Sequence, residues 1–372
     1  MIRVLHSVSN MDRAGVETML MNYYRHIDKN KVQFDFLCNK KKPGAYDDEI
    51  RALGGKIYHT PGLNPFKYGQ YVKFMRSFAK EHPEYKIIHC HNAALAAYPL
   101  FAAKVAGIPE RICHVHSASI TFDYKWPIKI VCKRFLKPNL TKMWACGKAA
   151  GAFYYGKAAV DSGKVRVINN AIEIDRFVFN ENVRNEMRQK HGLENSFVIG
   201  HAGRFMTQKN HAFLIKVFAE LCKKESTAKL VLLGDGELQE DIKKQVVELQ
   251  IEDRVLFMGN VSNVNEWYQA FDVFVLPSVW EGLPVVGIEA QAADLPCVFS
   301  ADVTNEVGIL KTTVFLSRKL PLEKWVKCIL SYKGKYERVN RAKEIAAAGY
   351  DIKCEAQKLQ QKYLELYDAL MK

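Results

Sequence analysis

The sequence predicts an α/β protein built from two units, each with a mostly parallel sheet covered by helices. Short apolar runs alternate with stretches of helical spacing along the chain, as in strand–helix–strand units. The chain has 372 residues, enough for two ordinary α/β domains. Val273–Leu276 is apolar without alternation, which is typical of a strand buried on both faces of a parallel sheet.

The first predicted unit, residues 1–170, starts with a strand and a helix separated by a polar loop. Its predicted strands are Ile2–His6, Gln33–Cys38, Ile87–Cys90, Arg111–Val115, Lys142–Cys146 and Val165–Ile168. Its predicted helices are Gly15–Ile27, Phe66–Lys80, Ala94–Val105 and Gly147–Tyr155. Residues 169–177 follow the last strand and are expected to connect the two units.

The second predicted unit, residues 171–352, repeats the alternation. Its predicted strands are Val198–His201, Leu230–Leu233, Val255–Phe257, Val273–Leu276 and Pro296–Phe299. Its predicted helices are Asn210–Lys224, Leu238–Leu249, Pro284–Ala293 and Leu322–Leu330. Apolar residues at helical spacing over Lys353–Leu370 predict a C-terminal helix within residues 353–372, which we expect to pack back on the first unit.

Composition excludes several classes of protein. Nine cysteines without a C-x-x-C pair indicate reduced thiols rather than a disulfide framework or a zinc site. The longest nearly apolar run, Ala93–Ala103, is too short to span a bilayer. The first ten residues hold no apolar core of the kind found in secretory signals, so we expect a cytoplasmic protein.

Charge is distributed unevenly between the halves. Residues 1–170 contain 27 Lys and Arg against 12 Asp and Glu, whereas residues 171–372 contain 27 against 28. The basic excess therefore lies entirely in the first half, which predicts that the two halves meet different partners.

The most informative stretch is Phe274–Val298, which carries two glutamates eight positions apart. Glu281 falls in the loop after a predicted strand, and Glu289 falls in the helix that Pro284 is predicted to begin. Ligands of open α/β sheets bind at the carboxyl ends of the strands. An acid in that loop, followed by a helix N-terminus, suits a substrate that carries hydroxyls and a phosphate.

Two cations precede this stretch. Arg204 and Lys209 follow a predicted strand in a loop that also contains Gly203, and together they can neutralise a diphosphate without a metal ion. The alternative is a solvated basic loop. Each glutamate has an alternative as well, an acid that caps a helix, and this suits Glu281 better than Glu289.

Pairs of histidines end two of the predicted strands. We expect His114 and His116 to point to opposite faces of the sheet, with one of them in the core and the other at the ligand edge. His89 and His91 repeat the pattern, and His91 is a candidate to line an acceptor cleft. A metal site at these histidines is disfavoured, because no carboxylate or cysteine completes a recognisable ligand set.

The chain resembles family-4 retaining glycosyltransferases of the GT-B fold, in which two Rossmann-like domains have parallel sheets that face each other across a cleft. The resemblance is closest to bacterial enzymes of capsular and exopolysaccharide synthesis. The two-glutamate stretch and the Gly203–Lys209 loop carry it. The other segments that carry it are Asp12–Glu17, His114–Ser117, Gly234–Glu237 and Thr304–Glu306.

This resemblance implies a nucleotide-sugar donor in the C-terminal domain, an acceptor in the N-terminal domain and catalysis without a metal or other cofactor. It implies that Glu289 holds the ribose, Glu281 touches the donor sugar and His116 bonds a sugar hydroxyl or positions the acceptor. Many relatives carry two glycines where this chain has Ala14 and Gly15, so Gly15 alone is left to approach the transferring group closely.

The remaining predicted substrate contacts are backbone groups early in the helix, which lack partners within the helix and can bind the distal phosphate. They belong to Gly282, Leu283 and Val285, with Pro284, which has no N–H to donate, at the predicted first turn. A uridine diphosphate sugar is the expected donor. We favour front-side displacement, in which the departing phosphate takes the acceptor proton.

A basic and aromatic segment, residues 125–137, has Lys129, Lys133 and Lys137 at helical spacing with Trp126 and Phe135 nearby. Such a helix can dock on an anionic membrane and receive a lipid-linked acceptor. The alternative is a solvated helix with one buried face.

Two other functions fit parts of the sequence. A nucleotide-sugar epimerase would use the same fold without an acceptor. A nucleic-acid-binding protein would explain the basic half, although no recognised nucleic-acid motif is present and the acids near the second sheet would repel a phosphate backbone.

Overall fold

The computed structural model describes residues 1–64, 67–120 and 125–372 and divides the chain into two compact units. Unit 1 consists of residues 1–171 and 351–372, and unit 2 consists of residues 172–350. Each is an α/β unit with its own sheet.

Unit 1 contains a seven-stranded parallel sheet in the order β3-β2-β1-β4-β5-β6-β7. Its strands are β1 (Ile2–Val8), β2 (Val32–Cys38), β3 (Ile57–His59), β4 (Ile87–Cys90), β5 (Glu110–Val115), β6 (Lys142–Ala145) and β7 (Val165–Val167). Its first helices are α1 (Gly15–His26), α2 (Asp47–Ala52), α3 (Tyr68–Glu81), α4 (Ala97–Val105), α5 (Trp126–Arg134), α6 (Lys148–Tyr155) and α7 (Lys157–Asp161).

Unit 2 contains a six-stranded parallel sheet in the order β10-β9-β8-β11-β12-β13. Helix α8 (Glu181–Lys190) precedes it, and its strands are β8 (Phe197–Ala202), β9 (Ala228–Leu233), β10 (Val255–Gly259), β11 (Val273–Leu276), β12 (Cys297–Ser300) and β13 (Thr313–Leu316). The remaining helices are α9 (His211–Cys222), α10 (Gln239–Glu248), α11 (Val264–Ala270), α12 (Val285–Ala292), α13 (Leu322–Leu330) and α14 (Ala342–Ala347).

The last helix, α15 (Ile352–Met371), belongs to unit 1 and packs on α1, β1 and β2. The side chain of Asp351 caps it by accepting the backbone N–H of Lys353. Its buried positions follow helical spacing, so one face joins the core of unit 1. Burying a large apolar side chain stabilises a fold by about 1.5–3 kcal/mol, so this face contributes substantially to unit 1.

Both sheets have the same crossover. The first strand of each unit lies beside its fourth, β1 against β4 and β8 against β11, while the second and third strands lie on the other side. The loops that leave the carboxyl ends of these neighbouring strands run in opposite directions and open a crevice between them. The fold therefore provides one natural ligand-binding edge in each unit.

The predicted class, α/β with two Rossmann-like parallel sheets, is confirmed. The short strands β3 and β13 and the polar helices α2 and α8 were not predicted, because three or four residues give little periodicity and strongly polar helices lack a clear apolar face. Residue Phe66, the predicted start of a helix, lies outside the described residues, and α3 begins at Tyr68.

Two predicted helix bounds are wrong by a small but relevant margin. Helix α5 ends at Arg134, so Lys137 lies beyond it and does not extend the helical face of Lys129 and Lys133. Pro284 precedes α12 as its N-cap with an extended ψ of 113°, and the helix begins at Val285.

Candidate functional site

The first candidate site lies at the carboxyl ends of β8 and β11, the neighbouring strands at the crossover of unit 2. Lys209, in the loop after β8, donates from Nζ to Oε1 of Glu281, in the loop after β11, over 2.6 Å. The lysine side chain is 15% exposed and the glutamate side chain 9% exposed. Two ionic groups predicted from separate segments are therefore brought together in a mostly desolvated position.

Further hydrogen bonds fix the Glu281 carboxylate. Ser278 donates from Oγ to Oε1 over 2.8 Å, and Gln208 donates from Nε2 to Oε2 over 3.1 Å. The backbone N–H of Val279 donates to the carbonyl of Gln208, which joins the two loops. The alternative role for Glu281 as a helix cap is therefore wrong: its side chain serves the Lys209 loop, and α12 begins four residues later.

Glycines allow the loops after β8 and β9 to pack closely at this site. A Cβ on Gly203 would lie 3.0 Å from Cδ of Lys209, so the lysine stem packs directly over the glycine. Gly234, at the end of β9, has a φ of +127°, and a Cβ there would lie 2.3 Å from the carbonyl oxygen of Gly203. Only glycine fits this position. Gly234 and Gly236, both with positive φ, form the turn that follows β9.

The structure pairs the two predicted cations with different acids. Arg204 lies within 3.3 Å of Glu237, and its side chain is 70% exposed, whereas Lys209 is mostly buried against Glu281. An ion pair as exposed as that of Arg204 contributes little to stability, so its guanidinium can exchange partners at low cost.

Glu289 lies in α12 and accepts a hydrogen bond from the hydroxyl of Tyr268 over 3.0 Å. Burial raises the pKa of Glu289 to about 7, against the opposing effects of this hydrogen bond and of Arg176. Tyr268 could not be predicted as its partner, because Tyr268 lies in α11, outside any recognised motif. Gly282, Leu283, Pro284 and Val285 form the loop and first turn before this acid, and no side chain caps α12.

In unit 1 the histidines on and after the strands β1, β4 and β5 form one cluster, which is buried except at the partly exposed His116. His6 Nδ1 lies 3.1 Å from His91 Nε2, and His91 Nδ1 lies 2.9 Å from His116 Nε2. The rings of His114 and His116 lie 4.1 Å apart. The prediction that these two rings point to opposite faces is wrong, because residues two apart on a strand share a face.

Ring nitrogens of three histidines come within 4.8 Å of one another in two overlapping groups. These groups are His6, His89 and His91, and His91, His114 and His116. Among the described residues, no cysteine or carboxylate joins either group. Burial lowers the pKa of all five rings, and it lowers the pKa of His6 and of His116 to about 3, so the cluster is uncharged at neutral pH.

A cavity of about 400 Å³ adjoins this cluster at the carboxyl ends of β1, β2 and β4. His91, Glu17, Lys40 and Lys125 contribute to its wall together with amide side chains and apolar residues. Burial raises the pKa of Glu17, in the first turn of α1, to about 7, and such a shift beside a cavity is typical of functional acids. A Cβ on Gly15 would meet no atom within 4 Å, so the space above it is open.

A larger cavity, about 690 Å³, lies at the opposite edge of unit 2, where the strands begin. Its basic wall is already occupied: Asp272 pairs with Arg184 and with Arg188, and both guanidiniums also donate to backbone carbonyls. We therefore assign this cavity a structural role and place the candidate site at the carboxyl edge.

Comparison with known proteins identifies the family of this chain. Residues 183–319 match the family described as Glycosyl transferases group 1, and residues 13–176 match Glycosyltransferase Family 4. The chain is 37% identical to the Putative glycosyltransferase EpsF of Bacillus subtilis over 356 residues, covering 94% of this chain and 93% of that protein.

Two further relatives extend the comparison. An Escherichia coli protein named UDP-Gal:alpha-D-GlcNAc-diphosphoundecaprenol alpha-1,3-galactosyltransferase is 28% identical over 306 residues, covering 77% of this chain and 76% of its own. The crystal structure of Anabaena Alr3699/HepE in complex with UDP-glucose superposes with a TM-score of 0.80 at 17% identity, covering 98% of this chain and 100% of that one. These comparisons support neither an epimerase nor a nucleic-acid-binding protein.

Proposed function

The chain belongs to the family-4 glycosyltransferases, and from that premise we propose that it transfers a sugar from a uridine diphosphate donor to a hydroxyl of a lipid-linked saccharide in surface-polysaccharide synthesis. The observation that carries the proposal is the desolvated Lys209–Glu281 pair at the crossover edge of unit 2. The Escherichia coli relative's name pairs a UDP-sugar with a diphosphate-linked lipid acceptor, which supports both substrate classes.

Unit 2 binds the donor in this proposal. Lys209 and the exposed Arg204 neutralise the diphosphate, and Gly203 lets its oxygens approach the backbone. The loop Gly282–Val285 and the start of α12 hold the distal phosphate. Glu289 accepts from the ribose hydroxyls, and Glu281 accepts from the donor sugar while it orients the lysine.

These two cations stabilise the departing diphosphate, so the transfer runs without a metal ion. The phosphate oxygen that leaves takes the proton of the acceptor hydroxyl on the same face, and the anomeric configuration is retained. Product anomers identified by NMR, with activity measured in excess chelator, test both statements. An inverted product would refute retention of the anomeric configuration, and loss of turnover on chelation would refute transfer without a metal ion.

Unit 1 binds the acceptor in the 400 Å³ cavity. The carboxyl group of Glu17 suits saccharide hydroxyls, Lys40 and Lys125 suit a diphosphate, and the ring of His91 lines the wall. Gly15 leaves room for the reacting group, and His116 provides a ring nitrogen for a substrate oxygen. The acceptor chemistry thus matches the two lysines and the acid that share this cavity.

An apolar surface beside this cavity suits the lipid part of the acceptor and the membrane that holds it. On and beside α5, Val131 is 55% exposed and Phe135 is 57% exposed, with Trp126 and Ile130 also exposed. Lys129 and Lys133 lie on the same helix. Among the described residues, no helix is both long and apolar enough to cross a bilayer. We therefore propose peripheral binding to anionic lipid on the cytoplasmic face.

The donor assignment is tested with full-length protein and a panel of UDP-sugars in thermal-shift assays, because a ligand that binds the native state raises the melting temperature. The UDP-sugar that raises it most is then supplied with a lipid-diphosphate saccharide, and with no acceptor. We expect a glycosylated lipid only when the acceptor is present. Conversion of the donor alone would instead indicate an epimerase.

Vesicle co-sedimentation tests the membrane surface. We expect binding to vesicles with anionic lipid, weaker binding at high salt, and loss of binding in Val131→Glu. Val247→Glu on α10 is the matched control, since Val247 is 56% exposed in unit 2. Binding that ignores lipid charge, or that both variants reduce equally, would contradict the proposal.

A further inference from the structure

The histidine cluster of unit 1 contains a continuous line of hydrogen bonds between rings from three segments. His6 lies on β1, His91 follows β4 and His116 follows β5. The two bonds, 3.1 Å and 2.9 Å long, use both ring nitrogens of His91. His6 and His91 are buried, whereas His116 is partly exposed, so the line leads from the core to the ligand edge.

A neutral imidazole carries one N–H and one lone pair, so each ring in such a line must donate on one side and accept on the other. Fixing the tautomer of one ring therefore fixes the tautomers of all three. Burial keeps the rings neutral, since a charged ring would have no counter-ion within the cluster.

The buried end of the line selects its direction. Nε2 of His6 is buried and has no hydrogen-bond partner in the part of the chain that the structure describes. An unpaired buried N–H is rarer in proteins than an under-satisfied acceptor, so this nitrogen carries the lone pair and the proton resides on Nδ1. His6 then donates to His91, and His91 donates from Nδ1 to Nε2 of His116.

We propose that His6 and His91 are positioning residues that hold His116 as its Nδ1–H tautomer, with that N–H available to donate to a substrate oxygen. In this arrangement His116 is a hydrogen-bond donor and does not take a proton from the acceptor. Its role in transfer depends on the proposed function above, whereas its tautomer depends only on the structure of unit 1.

The neighbouring ring of His114 supplies a matched control. His114 is buried, as His91 is, and its ring centroid lies 4.1 Å from that of His116. Among the residues that the structure describes, neither nitrogen of His114 has a hydrogen-bond partner. Replacing His114 by Phe keeps an aromatic ring in the cluster and leaves the hydrogen-bonded line intact. Replacing His91 by Phe removes both bonds of the line while changing the packing to a similar degree.

The test is the ¹⁵N NMR tautomer pattern of full-length protein labelled at histidine, with the His116 signals assigned by their loss in His116→Asn. We expect the Nδ1–H pattern for His116 in the wild type and in His114→Phe, and a mixture of tautomers in His91→Phe. His91→Asn should restore the wild-type pattern, because its amide nitrogen can occupy the place of Nδ1 and donate to His116.

An Nε2–H pattern in the wild type, or an unchanged pattern in His91→Phe, would overturn the proposal. So would a stoichiometric metal ion, measured by mass spectrometry of untagged protein, because these nitrogens would then be metal ligands.

Turnover gives a second, separate readout. With the acceptor saturating, we expect His91→Phe to lower kcat about 10-fold or more at an unchanged donor KM, as for other residues that orient a functional histidine. His91→Asn should recover most of that loss, and His114→Phe should keep wild-type kcat. If no variant transfers sugar at all, the proposed function fails while the NMR result still decides the tautomer. Equal losses of kcat in His91→Phe and His114→Phe would overturn the positioning role.

Discussion

The two units share a strand order and differ in the chemistry at the crossover edge. In unit 2, Lys209 and Glu281 form a mostly buried ion pair whose carboxylate receives two further hydrogen bonds. In unit 1 the equivalent edge carries neutral imidazoles, among them His91 and His116. The same backbone plan therefore supports a site that works by charge and one that works by hydrogen-bond direction.

This difference determines how each unit responds to change. Removing one member of a desolvated ion pair leaves the other without its partner, so unit 2 should be sensitive to single substitutions of charge. A cluster of neutral rings tolerates no proton in its interior, so unit 1 should be sensitive to acid. The predictions below follow this contrast from the largest expected effect to the smallest.

The largest effect is expected for Lys209→Ala, because we propose that this lysine stabilises the departing diphosphate. Turnover should fall about 10²–10³-fold, as for the loss of another preorganised electrostatic contact. Release of UDP under saturating substrates measures it. Lys216→Ala, at an exposed lysine of α9, should keep wild-type turnover. Arg204→Ala should also lower turnover by orders of magnitude, and wild-type rates in both Lys209→Ala and Arg204→Ala would refute the donor site.

Glycine substitutions at the two sites should differ in their effect on stability. Gly234→Ala places a methyl group 2.3 Å from a carbonyl oxygen at a φ of +127°, and we expect a loss of about 2–3 kcal/mol in the free energy of unfolding. Gly15→Ala meets open space and should leave stability unchanged while it raises the KM of a substrate. Urea denaturation measures both. Equal stabilities would show that the β9 turn relaxes without strain.

Acid should loosen unit 1 more than unit 2. A ring such as His6, with a folded pKa of about 3 against about 6.5 unfolded, stabilises the fold fully above pH 6.5 and loses that contribution as the pH falls toward 3. For His6 the loss is about 2 kcal/mol at pH 5. Glu17 acts in the opposite sense, since its raised pKa costs stability as the pH rises toward 7, but it is one acid against five rings.

Unit 2 has only two comparable rings, because burial lowers the pKa of His201 to about 4 and that of His211 to about 2. Hydrogen exchange at pH 7.5 and pH 5, corrected for intrinsic rates, should therefore show a larger loss of protection in β1, β4 and β5 than in β8 and β11. His114→Phe should reduce the difference by the contribution of one ring. Equal losses of protection in the two sheets would contradict the expected difference in acid sensitivity between the units.

The smallest effect concerns Glu289. If its carboxylate accepts from the ribose hydroxyls, as proposed, donor affinity should rise with pH through the pKa of about 7. Glu289→Gln should raise the donor KM about 10-fold, as a neutral amide accepts less strongly, and should flatten the pH profile. Tyr268→Phe removes a donor that lowers this pKa, so its profile should shift to higher pH. An unchanged profile in both variants would exclude the ribose role.

Much of the fold could be predicted from the sequence because its strongest signals are local. Val273–Leu276, with its apolar run, and α9, with its helical spacing, formed close to the predicted bounds. The short strands at the sheet edges carry too few residues to show periodicity. The pairing of Lys209 with Glu281 could be predicted in part, since both residues follow strands whose carboxyl ends share an edge of the sheet. That these two strands are neighbours was known only from the structure.

The histidine cluster could not be predicted in the same way. His6, His91 and His116 come from segments far apart in the sequence, and their contacts depend on β1 and β4 being neighbours. The partner of His89 is more distant still, since its Nδ1 lies 2.6 Å from the hydroxyl of Tyr363 in α15. Hydrogen bonds between residues 274 positions apart leave no trace in local spacing.

The placement of Tyr363 has a consequence for biosynthesis. A ribosome releases the strands of unit 1 first and α15 last, after all of unit 2 has emerged. The apolar face that α15 covers on β1 and β2 consequently stays open to solvent throughout translation of the intervening 179 residues, Ile172–Tyr350. During that interval the nascent chain presents a patch that chaperones can hold and that neighbouring chains can capture, and completion of the last helix ends the exposure.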